Sequence, residues 1–354
     1  MIEILDTITY YISGLYTLPW ILIGFILTNI LAQIVGEKKV NKTMKRIGMG
    51  ILYIFIPLLL FRIFLGVDFK EEEIAFTILC FILFSLLYIL AYVYAKYQIR
   101  KLQIEQKEIP LFLKTVLTNQ GRSSAFIGGA MLAIPQWSIY AALYMSIGAI
   151  FLFAIIPYIL LYLHKKELNK QDNVSRIKAL PWYLKIYPWY LLTFSAAAIL
   201  THSTTGIILQ DFGKDGSIIF KFFTQLTIPI ALYYVGAGIH PKDLKIEELK
   251  KIFIRKHKKN DQWLWVRNIF FLTAIITPIF TFVIFLIPLT IEIIPNTWFS
   301  VIIINSILPI TSTNMFLIPY GIDKKVTAHA VTWTTLVCTP IVVVLIIFFS
   351  VYFG

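Results

Sequence analysis

The sequence predicts an all-α, polytopic membrane protein with ten transmembrane helices. Three observations predict it. First, 58% of the residues are hydrophobic and the mean hydropathy is +0.77, far outside the range of soluble chains. Second, apolar runs fall at roughly 12–35, 46–67, 74–97, 110–135, 137–163, 183–204, 222–240, 264–291, 298–320 and 325–352. Most of them exceed the roughly 18–20 residues that cross a bilayer. Third, basic residues collect in alternate loops, as they do when one set of loops stays in the cytoplasm.

Taken in order, the chain starts with Glu3 and Asp6, which do not supply the positive segment of a secretory leader. Lys38, Lys39, Lys42, Lys45 and Arg46 follow the first span. Pro57 falls within the second span and is expected to kink it. Arg62 lies near that span's outer end and is expected to snorkel past Phe64. Lys96, Arg100, Lys101 and Lys107 close the third span. The loop 164–182 carries Lys165, Lys166, Lys170, Arg176 and Lys178, and the loop 241–260 is the most basic of all. Lys324 and Lys325 precede the last span, whereas the opposite loops hold little more than Lys70, Lys214 and Lys221. This alternation places the chain in the cell membrane with both termini outside and the basic loops in the cytoplasm. It also explains the net charge of +13 without nucleic acid. Two readings of loop 241–260 stand: it fixes the topology and nothing more, or it also attracts anionic lipid headgroups. Cys80 and Cys338 lie in apolar spans, where small core thiols are expected, with no disulfide and no metal.

Ten spans divide as five and five. Residues 1–163 form a first five-helix repeat, 164–182 a cytoplasmic linker, and 183–354 a second repeat. An odd number of spans inverts the second repeat relative to the first. The fourth span of each half is polar. The ninth contains Pro309, Thr311, Ser312, Thr313 and Asn314, and the fourth contains Asn119, Gln120, Gly121, Arg122, Ser123 and Ser124. Backbone groups freed in hydrocarbon need other protein or a cavity to satisfy them. Broken helices of this kind build substrate sites in secondary transporters. The spans therefore read as two inverted five-helix repeats, each with a broken fourth helix.

Several residues resemble those of the auxin efflux carrier family, which includes prokaryotic malate-type permeases. The block Leu308 to Pro340 carries Pro309, Asn314, Tyr320-Gly321, Asp323, Ala328, Ala330, Thr334-Thr335 and Pro340 at the family's spacing. Pro57 with Phe61, Pro229 through Gly238, and Asn119 with Gly121 resemble three further elements. The last departs from the pattern. The family's proline would fall near Phe126, and Arg122 stands where an uncharged residue is usual. The first break is therefore expected at Gly121 or at Gly128-Gly129. The resemblance implies the fold of bile acid–sodium symporter-like carriers, with the broken fourth and ninth helices crossing and spans one, two, six and seven as a scaffold that often forms a homodimer. It also implies outward transport of a small organic anion.

Arg122 is the residue with the most chemistry. A charge at bilayer centre costs at least about 2.5–3.5 kcal/mol, so it must face protein or a cavity. Two readings stand: a guanidinium that holds a substrate carboxylate bidentately, or one satisfied by carbonyls of the opposite broken helix. The expected substrate site comprises Asn119, Gln120, Gly121, Arg122, Ser123, Pro309, Thr311, Ser312, Thr313 and Asn314. Thr311, Ser312 and Asn314 are also a candidate sodium site. Lys114 and Arg267 read as anchors near inner ends, and His202 and His329 as interfacial histidines. No Asp or Glu lies near the middle of a span, which favours an anionic substrate. No phosphate loop, His-Glu-x-x-His or Gly-x-Ser-x-Gly occurs, so neither an enzyme nor a cofactor is expected. The reading is a secondary transporter of an organic anion. A sodium-coupled symporter and a non-transporting membrane sensor or lipid-binding protein are its alternatives.

Overall fold

The computed structural model describes residues 4–5, 8, 19–65, 70–122, 131, 134–168, 182–237, 262–311, 314, 317–318 and 320–353. Among them the protein is all-helical, with no strand beyond one isolated bridge. Four helical runs are long and apolar enough to cross a bilayer: Glu37–Arg62, Glu71–Leu102, Gln262–Thr290 and Lys324–Tyr352. A pair bent by 88°, Leu192–Thr205 with Leu209–Gln225, makes a fifth. Shorter apolar helices, among them Ile109–Thr118 and Asn296–Ile307, carry other apolar runs. Large apolar side chains line the outside, with Ile34 74%, Val351 71% and Ile287 65% exposed. Surfaces of that extent fit lipid and not water.

The elements run as α1 (Pro19–Val35), α2 (Glu37–Gly50), α3 (Ile56–Leu65), α4 (Glu71–Leu102) and α5 (Ile109–Thr118). Then come α6 (Pro135–Ile150), α7 (Ile156–Leu168), α8 (Trp182–Thr205), α9 (Gly213–Gln225) and α10 (Thr227–Ala237). The chain closes with α11 (Gln262–Phe271), α12 (Thr277–Thr290), α13 (Asn296–Ile307) and α14 (Lys324–Tyr352). Several boundaries differ from the sequence reading. The seventh run, 222–240, covers the end of α9 and all of α10, with a break between them at Leu226. Helix α7 runs on to Leu168, five residues into the expected linker; residues 169–181 lie outside the described residues.

Three single π-helical turns, Ile51–Phe55, Phe151–Ile155 and Leu272–Ile276, join α2 to α3, α6 to α7 and α11 to α12. Each is followed two residues on by proline: Pro57, Pro157 and Pro278. Proline offers no amide and its ring crowds the carbonyl one turn back. A widened turn relieves that crowding and leaves carbonyls without a helical partner. The freed Tyr53 carbonyl accepts a hydrogen bond from the Tyr190 hydroxyl at 2.8 Å.

Packing follows two sets. Helix α1 lies along α10, and α3 along α8. Gly24 permits the first approach: a Cβ there would fall 2.1 Å from the Tyr233 carbonyl oxygen, so only a glycine lets the backbones come so close. In the second set α4 packs on α5 and α6, α12 on α13, α11 on α14, α5 on α7 and α13 on α14. The interior of this set is rich in aromatic contacts, such as Phe76 against Tyr140 and Trp298, with centroids 5.1 and 5.2 Å apart. Cys80 and Cys338 are free and buried in the interior. Arg62, half-buried in the last turn of α3, donates to the Lys221 carbonyl at 3.1 Å.

Candidate functional site

Helices α5 and α13 both stop short, and their stops meet. Helix α5 ends at Thr118, with Asn119 as its cap. Helix α13 ends at Ile307, where Leu308 turns extended with ψ 147° and Pro309 supplies no amide. The two segments then run antiparallel for one bridge, Arg122 with Ile310. The Thr311 amide donates to the Gly121 carbonyl at 3.3 Å. The Ile310 amide donates to the Thr334 hydroxyl at 3.1 Å. In this way two broken backbones satisfy part of each other at the centre of the protein.

Gly121 is required here by space and not by its backbone angle, since its φ lies outside the left-handed region. A Cβ would meet Leu152 Cδ1 at 2.6 Å and Asn314 Oδ1 at 3.1 Å. The first break is thus at Asn119–Arg122, as the sequence suggested for Gly121; Gly128-Gly129 lie outside the described residues.

Arg122 is buried and spends both terminal nitrogens on carbonyls. Nη2 donates to the Thr273 carbonyl at 2.9 Å, and Nη1 to the Leu308 carbonyl at 3.4 Å. The Thr273 acceptor comes from the π-helical turn Leu272–Ile276. In that turn the Thr277 amide reaches back to the Leu272 carbonyl. The next amide in register would serve Thr273, but it belongs to Pro278 and does not exist. Arg122 fills that gap. Its Nε has no partner.

Around it lies a buried polar layer. The Asn119 side-chain amide donates to the Thr115 carbonyl at 2.8 Å and to the Thr327 hydroxyl at 3.1 Å. The Gln120 amide donates to the Thr277 hydroxyl at 3.0 Å. Asn314 is fully buried, and neither atom of its side-chain amide is partnered. Thr118 Oγ1, Asn119 Oδ1 and Gln120 Oε1 are likewise buried without partners. Buried polar groups are rarely left so, and several such atoms at one crossing mark a place where a ligand or water belongs.

Of the expected site residues, Asn119, Gln120, Gly121, Arg122, Pro309, Thr311 and Asn314 are brought together at the crossing. Ser123, Ser312 and Thr313 lie outside the described residues, as does Ser124. Sequence reasoning missed Thr273, Thr277, Thr327 and Thr334. A signal was available: Thr273, Thr277 and Thr281 recur at helical spacing within an apolar span, and all three are fully buried. Lys114 is not an interfacial anchor. It is buried, and its ammonium donates to the Tyr320 carbonyl at 3.4 Å. Gly321, with φ 83°, turns the chain over it: a Cβ at Gly321 would lie 3.1 Å from Lys114 Nζ. His202 contacts the Ile207 carbonyl at 3.2 Å, and the His329 ring lies against Trp263, tilted by 32° with centroids 4.7 Å apart. Among the described residues no group of three His, Cys, Asp or Glu is placed to hold a metal ion. No family model and no curated protein matches this chain.

Proposed function

We propose that the protein is a secondary transporter that moves a small organic anion, with a carboxylate as the recognised group, across the cell membrane by alternating access. One observation carries the reading. Two interrupted helices meet at a buried crossing that holds Arg122 and leaves Asn314, Asn119 and Gln120 with unpartnered polar atoms. Membrane proteins retain such groups where a solute passes. The packing supports it as well. If the second half repeats the first in inverted order, exchange of the halves turns the pair α1–α10 into α8–α3. It also turns α4–α5 into α12–α13 and α5–α7 into α13–α14. All of these pairs are in contact. The ten-span inverted repeat, the scaffold of α1, α3, α8 and α10, outward transport and a homodimer belong to this proposal.

A second reading has its own support. Arg122 already gives both terminal nitrogens to carbonyls, while Asn119 Oδ1, Gln120 Oε1 and Asn314 Oδ1 are acceptors without donors. Such oxygens suit a cation, which makes sodium-coupled uptake the alternative.

The test is thermal stabilisation of the purified protein by a panel of small carboxylates, with and without sodium. A ligand at a hundred times its Kd stabilises the folded state by about 2.7 kcal/mol. Arg122→Lys is the informative variant, since it keeps the charge and one carbonyl contact but loses the planar fork. Stabilisation by a carboxylate that disappears in Arg122→Lys supports the anion carrier. Stabilisation by sodium alone moves the assignment to the symporter. No response to any carboxylate in either condition refutes the anion site.

A further inference from the structure

Away from the crossing, a cavity of about 410 Å³ opens between α1, α2 and α10. That volume falls in the roughly 300–1,000 Å³ range of small-ligand sites. Its wall includes Trp20, Ile47, Gly50, Phe55, Pro229 and Tyr233, and is apolar almost throughout. Ile23 and Ile54 beside it are exposed, so the cavity sits at the lipid-facing wall of the protein.

Gly50 is the informative residue. Glycine inside a helix is destabilising relative to alanine, so it usually answers to a steric demand. None exists here: a Cβ on Gly50 would meet nothing within 4 Å, and its φ is not left-handed. What the missing side chain leaves is room in the cavity. The π-helical turn Ile51–Phe55 begins at the next residue and contributes Phe55 to the wall; such turns concentrate at functional places.

The same helix is strongly basic before it reaches the cavity. Helix α2 carries Lys38, Lys39, Lys42, Lys45 and Arg46 against a single acid, Glu37. Residues four apart share a helix face. Lys42 and Arg46 therefore lie two turns and one turn before Gly50 on its face, and Lys39 two turns before Ile47 on its own. Lys39, Lys42 and Arg46 are exposed, and none forms an ion pair among the described residues. Lys38 and Lys39 also stand in the first turn, where the helix dipole disfavours cations.

We infer that this cavity and the basic face of α2 form one site for an anionic phospholipid. An acyl chain occupies the cavity, and the phosphate lies against Lys42 and Arg46, with Lys39 at its edge. An apolar slot continuous with a cationic helix face matches the two ends of that molecule, and of no soluble anion. The inference rests on membrane embedding and not on the transport reading.

The experiment compares retention of phosphatidylglycerol and phosphatidylcholine by the purified protein, by native mass spectrometry, after exchange from mixed vesicles of the two lipids. Wild-type protein is expected to retain phosphatidylglycerol selectively. Lys42→Gln with Arg46→Gln removes two charges near the headgroup and should weaken that retention about thirtyfold. Gly50→Leu places a side chain in the cavity and removes a helix glycine. It should lose bound lipid while unfolding no earlier than wild type. Equal retention of the two lipids by wild type overturns the site. So does unchanged phosphatidylglycerol retention in Gly50→Leu, or in the double charge variant. Because Gly50→Leu is built into open space, its folding serves as the internal control. Failure of this test leaves the carboxylate experiment unaffected, since none of these residues lies at the crossing.

Discussion

Gly121→Ala tests the geometry of the crossing most directly. The new methyl group would fall 2.6 Å from Leu152 Cδ1, 3.3 Å from Leu152 Cδ2 and 3.1 Å from Asn314 Oδ1. The Leu152 methyls are the ends of a side chain, but Leu152 is itself buried and has little space to turn into. Overpacking of this kind costs about 1–3 kcal/mol, and we expect Gly121→Ala to lose about 2 kcal/mol. Leu152→Ala alone should cost about 2–5 kcal/mol through lost contacts and the cavity it leaves. The double variant puts the new methyl group into that cavity. Its loss should therefore be smaller than the sum of the two single losses, by about 1–3 kcal/mol of coupling. Unfolding of the four proteins in mixed micelles measures the cycle, and carboxylate binding by each shows whether the crossing still works. Strict additivity, or a neutral Gly121→Ala, would refute the close approach of the first break to the π-helical turn Phe151–Ile155.

Three further outcomes are expected. Gly24→Ala should destabilise by about 3 kcal/mol and admit no rescue by side-chain truncation, because the obstacle at 2.1 Å is the Tyr233 backbone carbonyl; unfolding in mixed micelles checks it. Asp323 caps α14 by accepting from the Val326 amide at 2.9 Å, so Asp323→Ala should cost about 0.5–2 kcal/mol while Asp323→Asn costs less; the same unfolding assay separates them. Cys80 and Cys338, both buried, should resist a water-soluble maleimide in the folded protein and react only after denaturation, as intact mass would show.

The two polar breaks were legible because hydrocarbon makes them conspicuous. Asn119 to Arg122 and Pro309 to Asn314 cannot face lipid, so their presence in apolar runs already places them inside the protein. Their partners were not legible for the same physical reason in reverse. A threonine in an apolar span can bond its own helix, as Thr273 does to the Ile269 carbonyl at 2.7 Å. Nothing in its local sequence tells that its carbonyl, or the hydroxyl of Thr277, turns to the crossing. Lys114 fails differently. Its distance from the end of α5 suggested an anchor, but sequence depth says nothing about the turn at Gly321, which folds over it from two hundred residues away. Arg122 was open between a ligand role and a structural one, and the carbonyls of Leu308 and Thr273 show where its terminal nitrogens go.

The three π-helical turns and their prolines connect these points. In a soluble protein a carbonyl freed by proline takes a water. At membrane depth it must find a donor inside the protein. Near Pro57 the Tyr53 carbonyl takes the Tyr190 hydroxyl and so ties the first half of the chain to α8. Near Pro278 the Thr273 carbonyl takes Arg122 and so ties α5 to the turn before α12. The second case resolves two problems at once. A guanidinium buried in an apolar bundle needs acceptors, and a helix broken by proline needs a donor; each is expensive alone. Together they fix the first broken strand against the second half of the protein, with one guanidinium nitrogen, Nε, left over at the crossing. Whether a carboxylate can engage Arg122 therefore turns on the three N–H groups that these contacts leave, the one on Nε among them, and on any release of Leu308, the longer of its two contacts at 3.4 Å. The weaker contact belongs to the opposite broken helix, so loosening it would also loosen the crossing. In the carrier proposed above, that contact would couple the ligand to the backbone.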